Sequence, residues 1–226
     1  MKRLFVTGSG TGVGKTLVTA ALGHQLIRAG RTVRAVKPVI SGYTQAAHGE
    51  SDTAVLLDSI GSDPSPDAID RMSPFRFEAP LSPDMAAARE GRRLDFEALL
   101  RFCRDAAAGP EDILLIEGVG GVMVPLTRDR TVLDWIDAVV APCLLVVGSY
   151  LGTISHTLTA VEALRRRRAP IAGLVISESE ASPVPPEETC ATIQRFLPAV
   201  KIAIVPRLHG VTPWRDAPDL TRFLES

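Results

Sequence analysis

Apolar residues along the chain occur in short continuous runs separated by longer segments with helical spacing. The runs cover residues 2–7, 32–37, 112–117, 143–149, 171–177 and 202–205. Continuous runs of Ile, Leu and Val, instead of alternating ones, are typical of strands that are covered on both faces. The pattern therefore predicts an α/β layer fold in a single domain, with a mostly parallel sheet and helices on both faces.

Helices are predicted between these strands. They cover residues 14–29, a short stretch after Ser51, 83–88, 95–108 and 152–168. Between Gly61 and Pro83 lie five prolines, which interrupt both helical and strand periodicity. For this segment we expect an ordered surface loop.

The composition is that of an ordinary globular protein. A length of 226 residues suits one compact domain, and 46% of the residues are hydrophobic. The net charge of −1 gives no field that would attract a polyanion, so we expect no nucleic-acid partner. No apolar run is long enough for a signal peptide or a membrane span, and the three cysteines form no CxxC pair. We therefore expect a cytoplasmic protein that has no membrane partner.

A glycine-rich segment, GSGTGVGKT at 8–16, joins the first predicted strand to the first predicted helix. In this context backbone N–H groups bind phosphate, Lys15 reaches the β- and γ-phosphate oxygens, and Thr16 offers its hydroxyl to Mg²⁺. The loop is one residue longer than the common motif, because Ser9 stands where that motif has glycine. Nucleotide binding is expected at Gly12, Val13, Gly14, Lys15, Thr16 and Leu17.

An acidic residue at the end of another strand is expected to complete the metal site. Glu117 ends one of the apolar runs, and Gly118, Gly120 and Gly121 follow it. Ligands of open α/β sheets collect at the carboxyl ends of the strands. Glu117 and Thr16 can therefore converge on one Mg²⁺.

The phosphate loop alone leaves the use of the nucleotide open. An enzyme can transfer the γ-phosphoryl group to a substrate, or a switch ATPase can use hydrolysis to change its partners. Switch ATPases of the partitioning type resemble one another in a second lysine, five residues before the phosphate-loop lysine. That position is Gly10 here. The pattern therefore favours a chemical enzyme, with a switch ATPase and a related amide-forming ligase as the alternatives.

Several motifs, in order along about three quarters of the chain, resemble the dethiobiotin synthetase family. The specific ones are the long phosphate loop and KPVISG at 37–42, accompanied by SD at 51–52, EGVGG at 117–121, VG at 147–148, LG at 151–152 and His156. The resemblance implies a homodimeric ligase of biotin biosynthesis with its active site at the subunit interface. Such an enzyme converts 7,8-diaminopelargonic acid, CO2 and MgATP to dethiobiotin, ADP and phosphate. ATP phosphorylates a carbamate of the substrate, and the neighbouring amine closes the ureido ring.

The resemblance also implies a role for each matching residue. Lys37 and Lys15 are the implied catalytic residues, and Thr16, Asp52 and Glu117 are the implied Mg²⁺ ligands. The nucleotide site is expected to extend from the phosphate loop to Asp52, Glu117, Gly118, Val119, Gly120, Ser177, Glu178, Pro206, Arg207 and Leu208. The substrate is expected to contact Thr11, Lys37, Ser41, Gly121, Leu151, Gly152 and Thr153, with Gly152 and Thr153 binding its distal carboxylate across the dimer.

The implied role of Lys37 agrees with elementary electrostatics. A carbamate and a γ-phosphate are both anionic, so cations have to lie between them. Only four of the 25 basic residues are lysines, and two of these, Lys15 and Lys37, lie in the motifs. In a chain that otherwise uses arginine, lysine at both positions indicates that these sites require a compact ammonium group and not a planar guanidinium.

Two positions depart from the family pattern. Ser177 stands where the family often has an asparagine that reads the adenine edge, and Ser155 stands where it has an asparagine before the histidine. An asparagine side chain presents both a donor and an acceptor to a base, whereas a serine hydroxyl is shorter. We therefore expect modest discrimination among nucleoside triphosphates.

Overall fold

The structure, a computed structural model, describes residues 1–44, 46, 49 and 51–224. The strands are β1 Lys2–Gly8, β2 Val33–Val36, β3 Val39–Ser41, β4 Phe75–Phe77, β5 Ile113–Glu117, β6 Cys143–Val147, β7 Ile171–Ser177 and β8 Ile202–Val205. The α-helices are α1 Lys15–Arg28, α2 Asp52–Ser59, α3 Pro66–Met72, α4 Pro83–Arg89, α5 Phe96–Ala107, α6 Val132–Val139, α7 Thr153–Arg166 and α8 Pro186–Phe196. Two short 3₁₀ helices, Pro213–Asp216 and Thr221–Phe223, follow β8.

The main sheet has six strands in the order β2-β5-β1-β6-β7-β8. All five pairs of neighbouring strands are parallel. In the centre of the sheet, Val6 of β1 lies between Glu117 of β5 and Leu144 of β6. The predicted parallel sheet is confirmed, and its carboxyl ends all point to one edge.

Hydrophobic cores cover both faces of this sheet, because neighbouring side chains of a strand point to opposite sides. On one face Phe5 packs edge-on against Trp135 of α6, with the ring centroids 4.8 Å apart. On the other face Leu4 and Val6 belong to a core that includes Leu22 of α1. The expectation of helices on both faces is confirmed.

The proline-rich segment 61–83 contains more regular structure than the sequence predicts, so the expectation of a loop was wrong. It contains α3, whose N-terminus is capped by the Ser65 hydroxyl accepting from the Ala68 N–H at 3.3 Å. It also contains β4, which pairs in parallel with β3 in a separate two-stranded sheet. Prolines suit the first turn of a helix, so their number did not exclude α3. Strands as short as β3 and β4 depend on their pairing and leave little periodicity in the sequence.

Two predicted helix caps are confirmed. The Ser51 hydroxyl accepts from the Ala54 N–H at 3.2 Å, and the Asp95 carboxylate accepts from the Ala98 N–H at 2.9 Å. Both contacts satisfy donors that would otherwise lack a partner in the first helical turn. Among the described residues, no helix has both the length and the apolar character that a membrane span requires.

Candidate active site

Three neighbouring strands of the sheet place the candidate chemistry at one edge. β1 leads into the phosphate loop, β5 ends at Glu117, and β2 ends one residue before Lys37. Because β5 lies between β1 and β2, Glu117 lies between the phosphate loop and Lys37. The topology therefore brings together residues that are up to 101 positions apart in the chain.

The phosphate loop folds tightly onto the end of β1. Gly12 and Gly14 have positive φ angles of 71° and 89°, a conformation that side chains disfavour. A Cβ atom on Gly14 would also collide with the side chain of Ser177. Lys15 is only 7% exposed, and its Nζ atom donates a hydrogen bond to the Gly10 carbonyl oxygen at 2.9 Å. The loop thus directs a buried ammonium group back across its own backbone.

An ammonium group and two carboxylates form the centre of the site. The Nζ atom of Lys37 lies 2.5 Å from Oε1 of Glu117 and 2.6 Å from Oδ2 of Asp52. The Thr16 hydroxyl donates to the same Glu117 oxygen at 2.7 Å. Lys37 and Glu117 are buried, whereas the Asp52 side chain is half exposed. Of the three implied Mg²⁺ ligands, Asp52 and Glu117 therefore contact the Lys37 ammonium directly, and Thr16 is connected to it through Glu117.

Burial and charge act in opposite directions on these groups. Burial lowers the pKa of Lys15 to about 8, although the charge of Glu117 counteracts this effect. Burial would also lower the pKa of Lys37, but the adjacent Glu117 and Asp52 carboxylates outweigh it and raise that pKa. Desolvation would raise the pKa of Asp52, but the charge of Lys37 and the hydrogen bonds to the carboxylate lower it. Both lysines therefore carry their charge at neutral pH.

The donor atoms at this centre fit a Mg²⁺ ion. They are carboxylate and hydroxyl oxygens, the hard ligands that Mg²⁺ prefers. Oε2 of Glu117 is buried and has no hydrogen-bond partner among the described residues, so one acceptor is left for a ligand. Within the described residues, no group of three or more His, Cys, Asp or Glu side chains could hold a metal by itself.

In the part of the chain that the structure describes, two cavities adjoin the phosphate loop. One, of about 360 Å³, is lined by Thr11, Gly12, Gly14, Lys15, Thr16, Leu17, Lys37, Ile40, Ser41, Asp52, Val119 and Gly120. The other, of about 380 Å³, is lined by Gly12, Val13, Gly14, Leu17, Ser177, Glu178, Ser179, Glu180, Pro206, Arg207, Leu208 and His209. We call them the lysine cavity and the Ser177 cavity. Because Gly12, Gly14 and Leu17 border both, one elongated ligand can occupy both cavities across the phosphate loop.

Most of the site residues expected from the sequence line one of these cavities. Glu117 does not line a cavity itself but contacts Lys37, which lines the lysine cavity. Gly118 and Gly121 line neither cavity and pack closely on the chain around β1. A Cβ on Gly118 would come within 2.9 Å of the Phe5 ring, and one on Gly121 within 3.1 Å of the Ser9 backbone.

The expected residues Leu151, Gly152 and Thr153 lie apart from both cavities, at the start of α7. Leu151 is 87% exposed, and Gly152 has a φ angle of 98°. The Thr153 hydroxyl is directed inward and donates to the Gly148 carbonyl oxygen at 2.7 Å. Within a single chain, the structure therefore does not bring this segment to the lysines.

The structure adds residues that sequence reasoning missed. Ile40 lines the lysine cavity, and Ser179, Glu180 and His209 line the Ser177 cavity. Ile40 lies within the KPVISG motif, which was itself a usable signal. The other three follow strands β7 and β8, and the carboxyl ends of parallel strands are where ligands collect. A larger cavity of about 630 Å³ beside α4 contains none of the expected site residues.

Curated proteins of known name match nearly the whole chain. It is 47% identical over 215 residues to the ATP-dependent dethiobiotin synthetase BioD of Methylobacterium nodulans, a match that covers 93% of this chain and 95% of that one. It is 46% identical over 221 residues to the protein of the same name from Acidiphilium cryptum, covering 96% and 98% of the two chains.

Solved structures resemble the fold at much lower identity. A chain of the MinC:MinD cell division protein complex from Aquifex aeolicus superposes with a TM-score of 0.55 and 16% identity, covering 96% of this chain and 86% of that one. The septum site-determining protein MinD complexed with Mg-ADP from Pyrococcus horikoshii gives a TM-score of 0.54 and 21% identity, covering 91% and 81%. These likenesses show that the chain shares its overall fold with these structures.

A family model described as an AAA domain matches residues 2–215, which include every expected site residue. The fold and the high identity to named relatives agree with each other. The chain belongs to the ATP-dependent dethiobiotin synthetase family.

Proposed function

We propose that this protein is a cyclo-ligase that forms dethiobiotin from 7,8-diaminopelargonic acid, CO2 and MgATP, with ADP and phosphate as the other products. The observation that carries the proposal is the position of Lys37. Lys37 lines the lysine cavity, and its ammonium contacts Glu117 and Asp52. Residues of the phosphate loop line the same cavity. One positive group thus lies where two anionic reactants would meet.

The two cavities suit the two ends of the nucleotide. The base and ribose would occupy the Ser177 cavity, with Pro206, Arg207 and Leu208 along one side. The phosphates would cross the loop at Gly12 and Gly14, whose lack of side chains lets a ligand approach the backbone. The γ-phosphate would then lie in the lysine cavity.

The proposed reaction has three bond-forming steps. An amine of the substrate adds to CO2 and loses a proton, which gives a carbamate. A carbamate oxygen attacks the γ-phosphorus, and the bond to ADP breaks. The neighbouring amine then attacks the carbonyl carbon of this mixed anhydride, the C–O bond to phosphate breaks, and the ring closes with release of the amine proton.

The lysines supply the charge that these steps need. Lys15 would leave the Gly10 carbonyl and bind the β- and γ-phosphate oxygens. Lys37 would hold the carbamate against the γ-phosphate and stabilise the negative charge that develops during phosphoryl transfer. Thr11 and Ser41, which line the same cavity, would hydrogen-bond the amine end of the substrate.

Thr16, Asp52 and Glu117 would hold Mg²⁺ beside the β- and γ-phosphates. A bound Mg²⁺ neutralises phosphate charge and fixes the geometry for in-line transfer. Oε2 of Glu117, which has no partner among the described residues, supports this assignment, because it is a buried acceptor that would be available to the metal ion.

We also propose a homodimer in which the α7 segment of each subunit completes the site of the other. The position of residues 151–153, outside both cavities, supports this arrangement. No side chain caps the N-terminus of α7, and although the Thr153 N–H donates to the Tyr150 carbonyl oxygen, the next backbone N–H groups of the first turn could bind the distal carboxylate of a substrate in a partner. Since ATP and the other proposed substrates are metabolites of the cell interior, the proposal places the enzyme in the cytoplasm.

A direct test incubates the protein with diaminopelargonate, ¹³C-bicarbonate and MgATP and analyses the products by mass spectrometry. The proposal predicts dethiobiotin that carries the label in its ureido carbon, and ADP only when diaminopelargonate is present. ATP hydrolysis that does not depend on the substrate, without labelled product, would support the switch alternative. Gly10, which occupies the place of the second lysine of such switches, disfavours that alternative.

A further inference from the structure

Two loops at the carboxyl edge of the sheet are joined by serine side chains that no role in the proposed reaction accounts for. One loop, residues 148–152, leaves β6 and enters α7. The other, residues 178–182, leaves β7 and borders the Ser177 cavity. Because β6 and β7 are parallel neighbours, their exit loops lie side by side.

The contact between the loops is reciprocal. The Ser149 N–H donates to the Ser179 hydroxyl at 3.0 Å, and the Ser179 N–H donates to the Ser149 hydroxyl at 2.9 Å. The Ser182 hydroxyl adds a third bond, to the Ser149 carbonyl oxygen at 3.2 Å. We call the Ser149–Ser179 pair the serine clasp. Each side chain satisfies a backbone donor of the other loop, so neither loop can shift alone without losing hydrogen bonds.

The clasp is buried and closely packed. Ser149 is completely buried. A Cβ atom on Gly148 would lie 2.6 Å from the Ser179 hydroxyl and 2.7 Å from the Tyr150 ring. The carbonyl of Gly148 in turn accepts from the Thr153 hydroxyl in the first turn of α7. The clasp is therefore linked through one residue to the beginning of that helix.

The clasp lies between the two regions where the proposed substrates bind. Ser179 itself lines the Ser177 cavity, where the nucleotide base would lie. Ser149 is three residues before Gly152, whose helix N-terminus would bind the substrate carboxylate. In the proposed dimer α7 serves the partner's site, so a fixed connection between the loops fixes the nucleotide subsite of one active site relative to the carboxylate subsite of the other.

We propose that Ser149 and Ser179 are positioning residues. They fix the position of the nucleotide-cavity wall relative to the N-terminus of α7. This inference rests on the proposed function for the identity of the two ligands. The clasp acts through the loop backbones and touches neither reacting group, so its loss weakens binding while the chemical step continues.

The test uses Ser179→Ala, which leaves the buried Ser149 N–H without an acceptor. Its control is Ser59→Ala, which removes another buried serine hydroxyl, bonded to the Leu56 carbonyl oxygen at 2.8 Å at the far end of α2. Urea denaturation is expected to show a similar decrease in the free energy of unfolding for both variants. Steady-state kinetics then gives KM and kcat for diaminopelargonate, and calorimetry gives the affinity for a non-hydrolysable ATP analogue.

We expect Ser179→Ala to raise KM for diaminopelargonate and the Kd of the ATP analogue by about tenfold each, with kcat within about twofold of the wild type. Ser59→Ala should leave all three values unchanged. Unchanged binding in a destabilised Ser179→Ala variant would show that the clasp is only structural and would overturn the inference. If the wild type makes no dethiobiotin, the proposed function fails, and the comparison of analogue affinity between the two variants still decides for or against the clasp.

Discussion

The ion pair between Lys37 and Glu117 predicts a measurable coupling in stability. Counting the described residues, Lys37→Gln leaves the fully buried Glu117 carboxylate with a single hydrogen bond, from Thr16, and with no partner on Oε2. Removing one partner of a buried pair typically costs 3–5 kcal/mol. Because Asp52 is half exposed and keeps its own hydration, we expect the low end of that range, about 3 kcal/mol.

The charge-neutral double variant separates this effect from lost packing. Glu117→Gln alone leaves Lys37 paired with Asp52 and should cost less, about 1–2 kcal/mol. The double variant Lys37→Gln with Glu117→Gln buries neither charge, so its cost should fall below the sum of the single costs by at least about 1.5 kcal/mol.

Urea denaturation without nucleotide measures all four proteins of this cycle, with equal m-values as the condition for comparing them. Lys201→Gln, which removes an exposed lysine, serves as the control and should change the free energy of unfolding by less than about 0.5 kcal/mol. Additive single effects, or a Lys37→Gln variant as stable as the control, would refute the inferred energetic coupling of this pair.

Three further predictions concern other parts of the molecule. With Ser177 beside the nucleotide cavity, other triphosphates should support turnover within about tenfold of ATP, and Ser177→Asn should increase the preference for ATP; turnover of the wild type with ATP alone would contradict this. If α7 completes the partner's site, mixing and refolding inactive Lys37→Gln and Leu151→Asp subunits in equal amounts should restore roughly one quarter of wild-type activity, whereas sites contained within one chain would restore none. Asp134 closes a capping box with Thr131, and although burial would raise the pKa of its carboxyl, the hydrogen bonds from Thr131 and the charge of Arg167 lower it. Asp134→Asn should therefore cost about 1 kcal/mol at pH 7. This difference should begin to shrink near the unfolded-state pKa of about 4 and should be lost as the pH falls through the lower folded-state pKa of Asp134, because the carboxyl is then protonated in both states. A difference that stays constant down to pH 3 would assign the cost to something other than the charge.

The sheet and its edge could be predicted from the sequence because they follow from strong local signals. Continuous apolar runs identified the main strands, and the carboxyl ends of adjacent parallel strands place Thr16, Lys37 and Glu117 together in any such fold. The proline-rich segment could not be read in this way. Its three-residue strand β4 forms because β3 lies beside it, and no local pattern records that pairing.

The details of the site required three-dimensional contacts. The sequence indicated that Lys37 and Glu117 share a site, but not that a single ammonium contacts both Glu117 and Asp52. The serine clasp left no signal at all, since Ser149 and Ser179 are 30 positions apart and serine is common in loops. Close approach of Ser177 to Gly14 is likewise visible only in the fold.

The central claim is that the Lys37 ammonium acts on the carbamate and the γ-phosphate during the reaction, and not on nucleotide binding. The most direct measurement compares ATP affinity by calorimetry with dethiobiotin turnover for Lys37→Gln, after circular dichroism has shown that the variant is folded. We predict a loss of turnover of at least about 100-fold, with an ATP Kd within about threefold of the wild type. Equal losses of affinity and turnover would assign Lys37 to the nucleotide, and undiminished turnover would contradict the account.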